Sequence, residues 1–319
     1  MFKFKRRQSQ GLSVFSKKPG ILGAAVLETR LMNFRTQPGI IDKSARLLYK
    51  SAHSLKKGKS YMEKADKVAK IEPVQLGLKS RFKFKCHPKV KCFTHCCRGI
   101  NIILTPYDII RLKNRLGVSS EQFLAIYTTP QILEKTDLAV VTLKLMDDDQ
   151  QSCPFVRDDG CLVYSDRPTT CRYYPLGVAT LSHKEATAEE GFFFFVNEPH
   201  CLGFEEDQEW DIAQWRRDQG VDRHDEINAE WTELLVRKRS FPANIKITEQ
   251  GKRMFFMASY NIDTFRQFIF ESSFLKRYEI DPPTIAQIKS DEIALLKFGM
   301  RWLKWLLFKE GEFKLRSPS

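Results

Sequence analysis

The stretch Cys153–Gly177 reads CPFVRDDGCLVYSDRPTTCRYYPLG. It carries Cys153, Cys161 and Cys171, and Asp158-Asp159-Gly160 makes a turn between the first two. Pro154, Pro168 and Pro175 restrict the loops, because the pyrrolidine ring locks φ, and rigid loops suit the placement of ligands. Arg167 and Arg172 bring two guanidinium groups beside the thiols. There they would neutralise a thiolate-rich centre and favour its anionic form. The plainer alternative is a surface arginine pair.

Outward from this stretch, the chain of 319 residues has eight cysteines in all: Cys86, Cys92, Cys96, Cys97, Cys153, Cys161, Cys171 and Cys201. Their spacing is C-x5-C-x3-C-C, a long gap, then C-x7-C-x9-C-x29-C. Structural cysteines behave as small hydrophobes and would scatter through the whole protein, so confinement to one stretch means that these act together. Thiolates are soft, charged ligands for zinc and iron, and four of them complete a tetrahedral shell. Eight could fill two four-thiolate sites, share a multinuclear cluster, or hold one centre with thiols to spare. His87, His95 and His200 each lie close to a cysteine and are possible imidazole ligands, although a lone histidine is more often structural. There is no CxxC pair, which fits zinc ribbons and treble clefs poorly, and the C-x2-C-x2-C-x3-C-P ferredoxin run is absent. Cys96 and Cys97 are adjacent, and neighbouring side chains of an extended segment point to opposite faces. Two metals on either side, or one ligand and one redox thiol, would both use that geometry.

The clustered C…C…CC, the LTPYDIIRL helix and the "CPF…C.VY..RP..CR.YP" segment together resemble the YkgJ-type cysteine-cluster family, over about residues 81–204. The resemblance implies a zinc- or iron-chelating domain and makes all eight cysteines the ligand set. The first spacing departs from the family's commoner C-x2-C. The wider superfamily includes proteins resembling flagellin lysine N-methylase, which pairs a cysteine cluster with methyl transfer. Within the sequence itself there is no Gly-rich phosphate or adenosyl loop in convincing context, no HExxH and no Walker motif.

The charge is uneven. Residues 1–85 hold 21 Lys/Arg against 5 Asp/Glu, whereas the rest of the chain has 31 against 34. The expected organisation is therefore a basic, partly helical or disordered arm at 1–80, a cysteine-cluster metal-binding domain at 81–204, and a helical region at 205–319. The arm suits an anionic partner, whether membrane surface, nucleic acid or acidic protein, or is simply solvated. No apolar run reaches the roughly 18 residues that would span a bilayer, and the opening lacks the apolar segment of an export signal. A reducing, cytoplasmic setting follows, which favours metal ligation over disulfides.

Local patterns give the elements. Ile41–Ile71 has helical spacing. Gly99–Leu104 reads as a short buried strand. Thr105-Pro106-Tyr107-Asp108 opens a helix that Gly117 closes, and Ser119 with Gln122 opens another. Leu138–Met146, Gly177–Ser182 and Gly191–Val196 are strand-like, and Phe-Lys-Phe-Lys at 82–85 suits an edge strand. Trp210, Trp215 and Trp231 mark acidic helices, an aromatic helix follows Asp263, and residues 284–308 form a last helix with Lys297, Arg301 and Lys304 on one face. Packing of that helix is the commoner explanation, with membrane-surface contact the alternative. The fold class is α+β: a small cysteine-rich unit with short strands and two helices, then a mainly helical part. The function that follows is coordination of zinc, or of an iron or iron–sulfur centre, by clustered thiolates. The alternatives are an iron–sulfur enzyme resembling the flagellin methylase, and an adaptor in which the metal only holds the fold.

Overall fold

A computed structural model describes residues 75–179, 192–242 and 244–316. The helical pattern at Ile41–Ile71 and nearly all of the basic arm lie outside these residues. In chain order the elements are β1 (Arg81–Lys83), β2 (Ile103–Leu104), α1 (Pro106–Leu116), α2 (Ser120–Tyr127), β3 (Thr128–Leu133) and β4 (Leu138–Leu143). Then come β5 (Val156–Arg157), β6 (Gly160–Cys161), α3 (Thr169–Tyr173), β7 (Leu176–Ala179), β8 (Phe192–Phe195) and β9 (Glu209–Asp211). Helices follow: α4 (Ile212–Gln219), α5 (Val221–Arg239), α6 (Glu249–Tyr260), α7 (Ile262–Glu271), α8 (Phe274–Arg277), α9 (Pro282–Ser290) and α10 (Glu292–Phe308). The class is α+β, with small antiparallel sheets ahead of a helical C-terminal part.

The first two helices start where their caps dictate. Thr105 accepts from the Asp108 amide while Asp108 accepts from the Thr105 amide, and Ser119 and Gln122 repeat the exchange. Gly117 ends α1 in the left-handed region at φ 66°, donating to the Lys113 and Asn114 carbonyls. The apolar run of β4 is buried as the centre of the sheet β2-β4-β3. Pro130 is tolerated in β3 because that strand lies at the edge, where a missing amide breaks no ladder. Of the strand expected at Gly99–Leu104 only Ile103–Leu104 pairs with β4, although Ile100 and Ile102 are also buried.

Aromatic–lysine alternation makes β1 an outer strand, with Phe82 and Phe84 buried and the lysines exposed. Its partner is β9, in the register Phe82↔Trp210. Trp210 therefore lies on a strand rather than on the expected helix, and its indole N–H donates to the Phe84 carbonyl at 2.8 Å. The last helix is also two helices. Asp291 accepts from the amides of Ile293 and Ala294, and so caps α10 anew after α9 has ended. The basic face of α10 is a seam with α5: Lys297 meets Glu226 at 3.1 Å and Lys304 meets Glu233 at 2.6 Å. No helix among the described residues is long and apolar enough to cross a membrane.

Two cores result. The main one joins β2–β4, α1 and α2 to the C-terminal helices, with Phe123, Phe255, Phe265, Phe274 and Trp302 at its centre. The second gathers Phe82, Phe84, Tyr174, Phe193, Ile212 and Trp215. Phe84 there meets Trp215 edge-on at 5.5 Å.

Asp108 is 0 % exposed and binds three elements together. Its Oδ2 accepts from the Thr105 amide, and its Oδ1 accepts from the amide and hydroxyl of Thr169 at 2.9 and 2.8 Å. His224 Nδ1 on α5 lies 2.9 Å from the Thr169 hydroxyl and 3.4 Å from Oδ1. Burial alone pushes the carboxyl up, but the interactions with His224, Thr105 and Thr169 outweigh it and hold Asp108 below the usual carboxylate range. Asp108→Asn turns an amide N–H2 toward these donors and is expected to cost roughly 2–4 kcal/mol in urea unfolding at neutral pH. The folded carboxyl is the stronger acid, so its contribution is full above the unfolded value of about 3.9 and is lost as pH falls through the lower folded one. The parent chain should consequently lose stability on acidification more steeply than the variant.

Candidate metal centre

All eight cysteines lie among the described residues, and all are thiols. The N-terminal four are carried by consecutive tight turns that follow β1. Val90 donates to the His87 carbonyl, Phe93 to Val90, His95 to Cys92 and Cys97 to Thr94. Such three-residue steps pack several side chains into a small volume. Cys86 and Cys96 are buried in the second core, and Cys201 packs against it. Cys92 reaches the same place: its Sγ accepts from the amide of Leu202 at 3.3 Å. The Lys85 amide donates to the Gly203 carbonyl at 3.0 Å, which brings the chain on either side of Cys86 and Cys201 together.

Cys97 goes the other way. It packs against the main core together with Cys153, Cys161 and Cys171. The Cys153 amide donates to the Cys97 carbonyl at 2.7 Å, and Arg98 bridges to Ser152 beside them. Cys161 is delivered by the two-residue turn joining β5 to β6, where Val156 pairs with Cys161. Cys171 sits on α3. Burial first, then Cys97 and Cys161, pushes the Cys153 thiol up to about 12, against the pull of the Phe155 and Val156 amides. Burial, then Cys153, Cys161 and Cys97, raises Cys171 well above the ordinary thiol value, with Arg167 opposing.

The arginines expected beside the thiols part company. Arg167 acts on Cys171, stacks over the Tyr164 ring at 4.0 Å and donates to Gln219. Arg172 instead gives its donors to the carbonyls of Arg167, Gln219 and Ser165. It clamps the loop before α3 to the end of α4, and burial next to Arg167 and Arg111 lowers it to about 10. Of the candidate histidines, His87 lies 3.0 Å from Glu206 and His200 lies 3.2 Å from Glu198, while His95 is exposed. Asp148 accepts from the amides of Gln150 and Ser152, forming an exposed turn.

The donor chemistry fits a thiophilic metal. Cys92 Sγ accepts from the Leu202 amide, and the Phe155 and Val156 amides act on Cys153, contacts that sulfur ligands of such a metal also accept. Among the described residues, no group of three or more His, Cys, Asp or Glu side chains is placed to hold a metal ion.

Two features here had no local signal. The Asp108–Thr169–His224 contacts join positions 55 to 61 residues apart in sequence pairs. Tyr173 donates to Asp225, and Arg216 holds both at 3.0 and 2.9 Å, again across the chain.

Residues 85–201 match the family described as "CxxCxxCC: Putative zinc- or iron-chelating domain". No curated protein and no solved structure matches the chain.

Gly203 sets how closely the Cys201 segment approaches Cys86. A Cβ there would lie 2.6 Å from the Phe84 ring and 3.1 Å from the Lys85 carbonyl. Phe84 is 1 % exposed and has no room to swing away. Gly203→Ala is expected to cost roughly 1–3 kcal/mol in urea unfolding. Gly77→Ala, with nothing within 4 Å of its Cβ, should stay within about 0.5 kcal/mol.

Proposed function

Since residues 85–201 match a family described as a zinc- or iron-chelating domain, we propose that this protein holds zinc, or an iron or iron–sulfur centre, through Cys86, Cys92, Cys96, Cys97, Cys153, Cys161, Cys171 and Cys201. One observation carries the reading: every cysteine of the chain falls inside the matched segment. A binding role at this level is what the family description supports. The eight-thiol ligand set and the cytoplasmic setting belong to the proposal, because thiolate ligands need a reducing compartment. A bound metal would supply the positive charge that favours thiolates, and Arg167 contributes in the same direction at Cys171.

Anaerobic purification, metal analysis and an absorption spectrum test the proposal. Zinc gives a colourless protein, whereas an iron–sulfur centre gives a brown one with matching acid-labile sulfide. A chain that retains neither metal and takes up neither would overturn the reading. Because ligation energy is also folding energy in small metal units, Cys171→Ser is expected to lower metal content and to make residues 81–204 more susceptible to proteolysis. Unchanged stoichiometry and unchanged cleavage would remove Cys171 from the ligand set.

A further inference from the structure

We infer that the end of the protein where α5 and α10 finish docks on an anionic lipid surface. Phe241, Ile245 and Phe308 enter the headgroup layer there, and Lys246 and Lys309 meet the lipid anions. This end lies outside the segment matched to the chelating family, and its docking does not depend on a metal.

Three ion pairs fix the geometry. Glu226 meets Lys297, Glu233 meets Lys304 and Arg237 meets Glu310, so partner positions rise together along both helices. The helices therefore run parallel and finish side by side. Phe241, just past α5, meets Phe308, the last residue of α10, edge-on at 5.2 Å. The backbone beyond α5 is tied inward: the Phe241 amide donates to the Lys238 carbonyl and the Ile245 amide to the Pro242 carbonyl. Lys238, only 4 % exposed, donates its Nζ to the Ile245 carbonyl at 2.8 Å. Ile245 itself remains 48 % exposed, Phe241 and Phe308 are half-buried, and Lys246 and Lys309 are exposed.

Charge selects the partner. From Arg237 to Lys246 the sequence has four basic residues and no acidic one. Cations in the last turn of α5 are what the helix dipole favours, but Lys246 belongs to no helix. The acids nearest in sequence are engaged, Glu310 by Arg237 and Glu249 by Lys252. Exposed aliphatic and aromatic groups among cations seat at the boundary between lipid headgroups and acyl chains. There the apolar groups leave water and the cations gain the attraction of anionic lipid. A nucleic acid would use the same cations but needs aromatic faces on which bases stack. Phe241 is already engaged, by Arg237 over its ring at 5.4 Å and by Phe308 at its side, and isoleucine has no ring to offer.

The probe is a vesicle of phosphatidylcholine and phosphatidylserine doped with a phospholipid that carries a photoreactive diazirine in its acyl chain. The full chain is irradiated on these vesicles, and lipid adducts are located by mass spectrometry. Location by residue reads this end separately from any attraction of the basic residues 1–74. Adducts should fall on the peptides containing Phe241, Ile245 and Phe308, and should vanish on pure phosphatidylcholine or at high salt. Ile245→Ser should lower their yield roughly tenfold, and Lys246→Ala about fivefold. Both positions are exposed, so far-UV circular dichroism and thermal unfolding should match the parent chain. Adducts confined to residues 1–74, equal yields on uncharged vesicles, or yields unchanged in both variants would overturn the lipid assignment. So would cross-linking of these same peptides to a photoreactive oligonucleotide or polyglutamate in the absence of any lipid adduct, which would make the partner a nucleic acid or an acidic protein.

Discussion

The described fold turns on one buried carboxylate. Asp108 has to serve as the N-terminal acid of α1, as the acceptor that anchors the start of α3 through Thr169, and as the group facing His224 on α5. A desolvated charge is tolerated only when its lone pairs are filled, and here backbone amides, a hydroxyl and an imidazole fill them. Through this node the Cys171 segment and α5 are held against α1. The C-terminal helices share the main core with β4. The position of Cys171 is thus set by residues far from it in sequence.

Arginine does similar work on the outer side of that loop. Arg172 satisfies three carbonyls and Arg111 pairs with Asp166, so residues 164–168 are fixed from two directions before α3 begins. Loops with little regular structure of their own need such clamps, since each ordered residue loses roughly 1–2 kcal/mol of backbone entropy. Metal ligation would supply a further constraint of the same kind.

Elements governed by local chemistry were legible in the sequence. Thr105-Pro106-Tyr107-Asp108 and Ser119…Gln122 fix helix starts through side chain to backbone bonds spanning three residues, and Asp158-Asp159-Gly160 fixes a two-residue hairpin. The α+β class and the match of the cysteine segment to a chelating-domain family could be read in the same way. What could not be read depends on partners distant along the chain. Trp210 looked helical until Phe82 paired with it. Helix α6, rich in Phe and Met, shows no strong signal apart from its Thr248 cap. The break at Asp291 is masked because apolar residues on both sides continue a helical spacing. Asp108 and Arg172 had recognisable local roles, as a cap and as a basic neighbour of a cysteine, yet Asp108 also reaches Thr169, 61 residues away, and Arg172 the Gln219 carbonyl, 47 residues away.

Two short cysteine-bearing segments pass between the two cores. Cys96 lies in the second core and Cys97 against the main one; likewise Cys171 faces the main core while Tyr173 and Tyr174 enter the second. Trp215 reinforces the second crossing, its indole N–H donating to the Tyr173 carbonyl at 3.1 Å. Each crossing is only a few residues long, so a side chain on one face cannot shift far without moving its neighbour on the other.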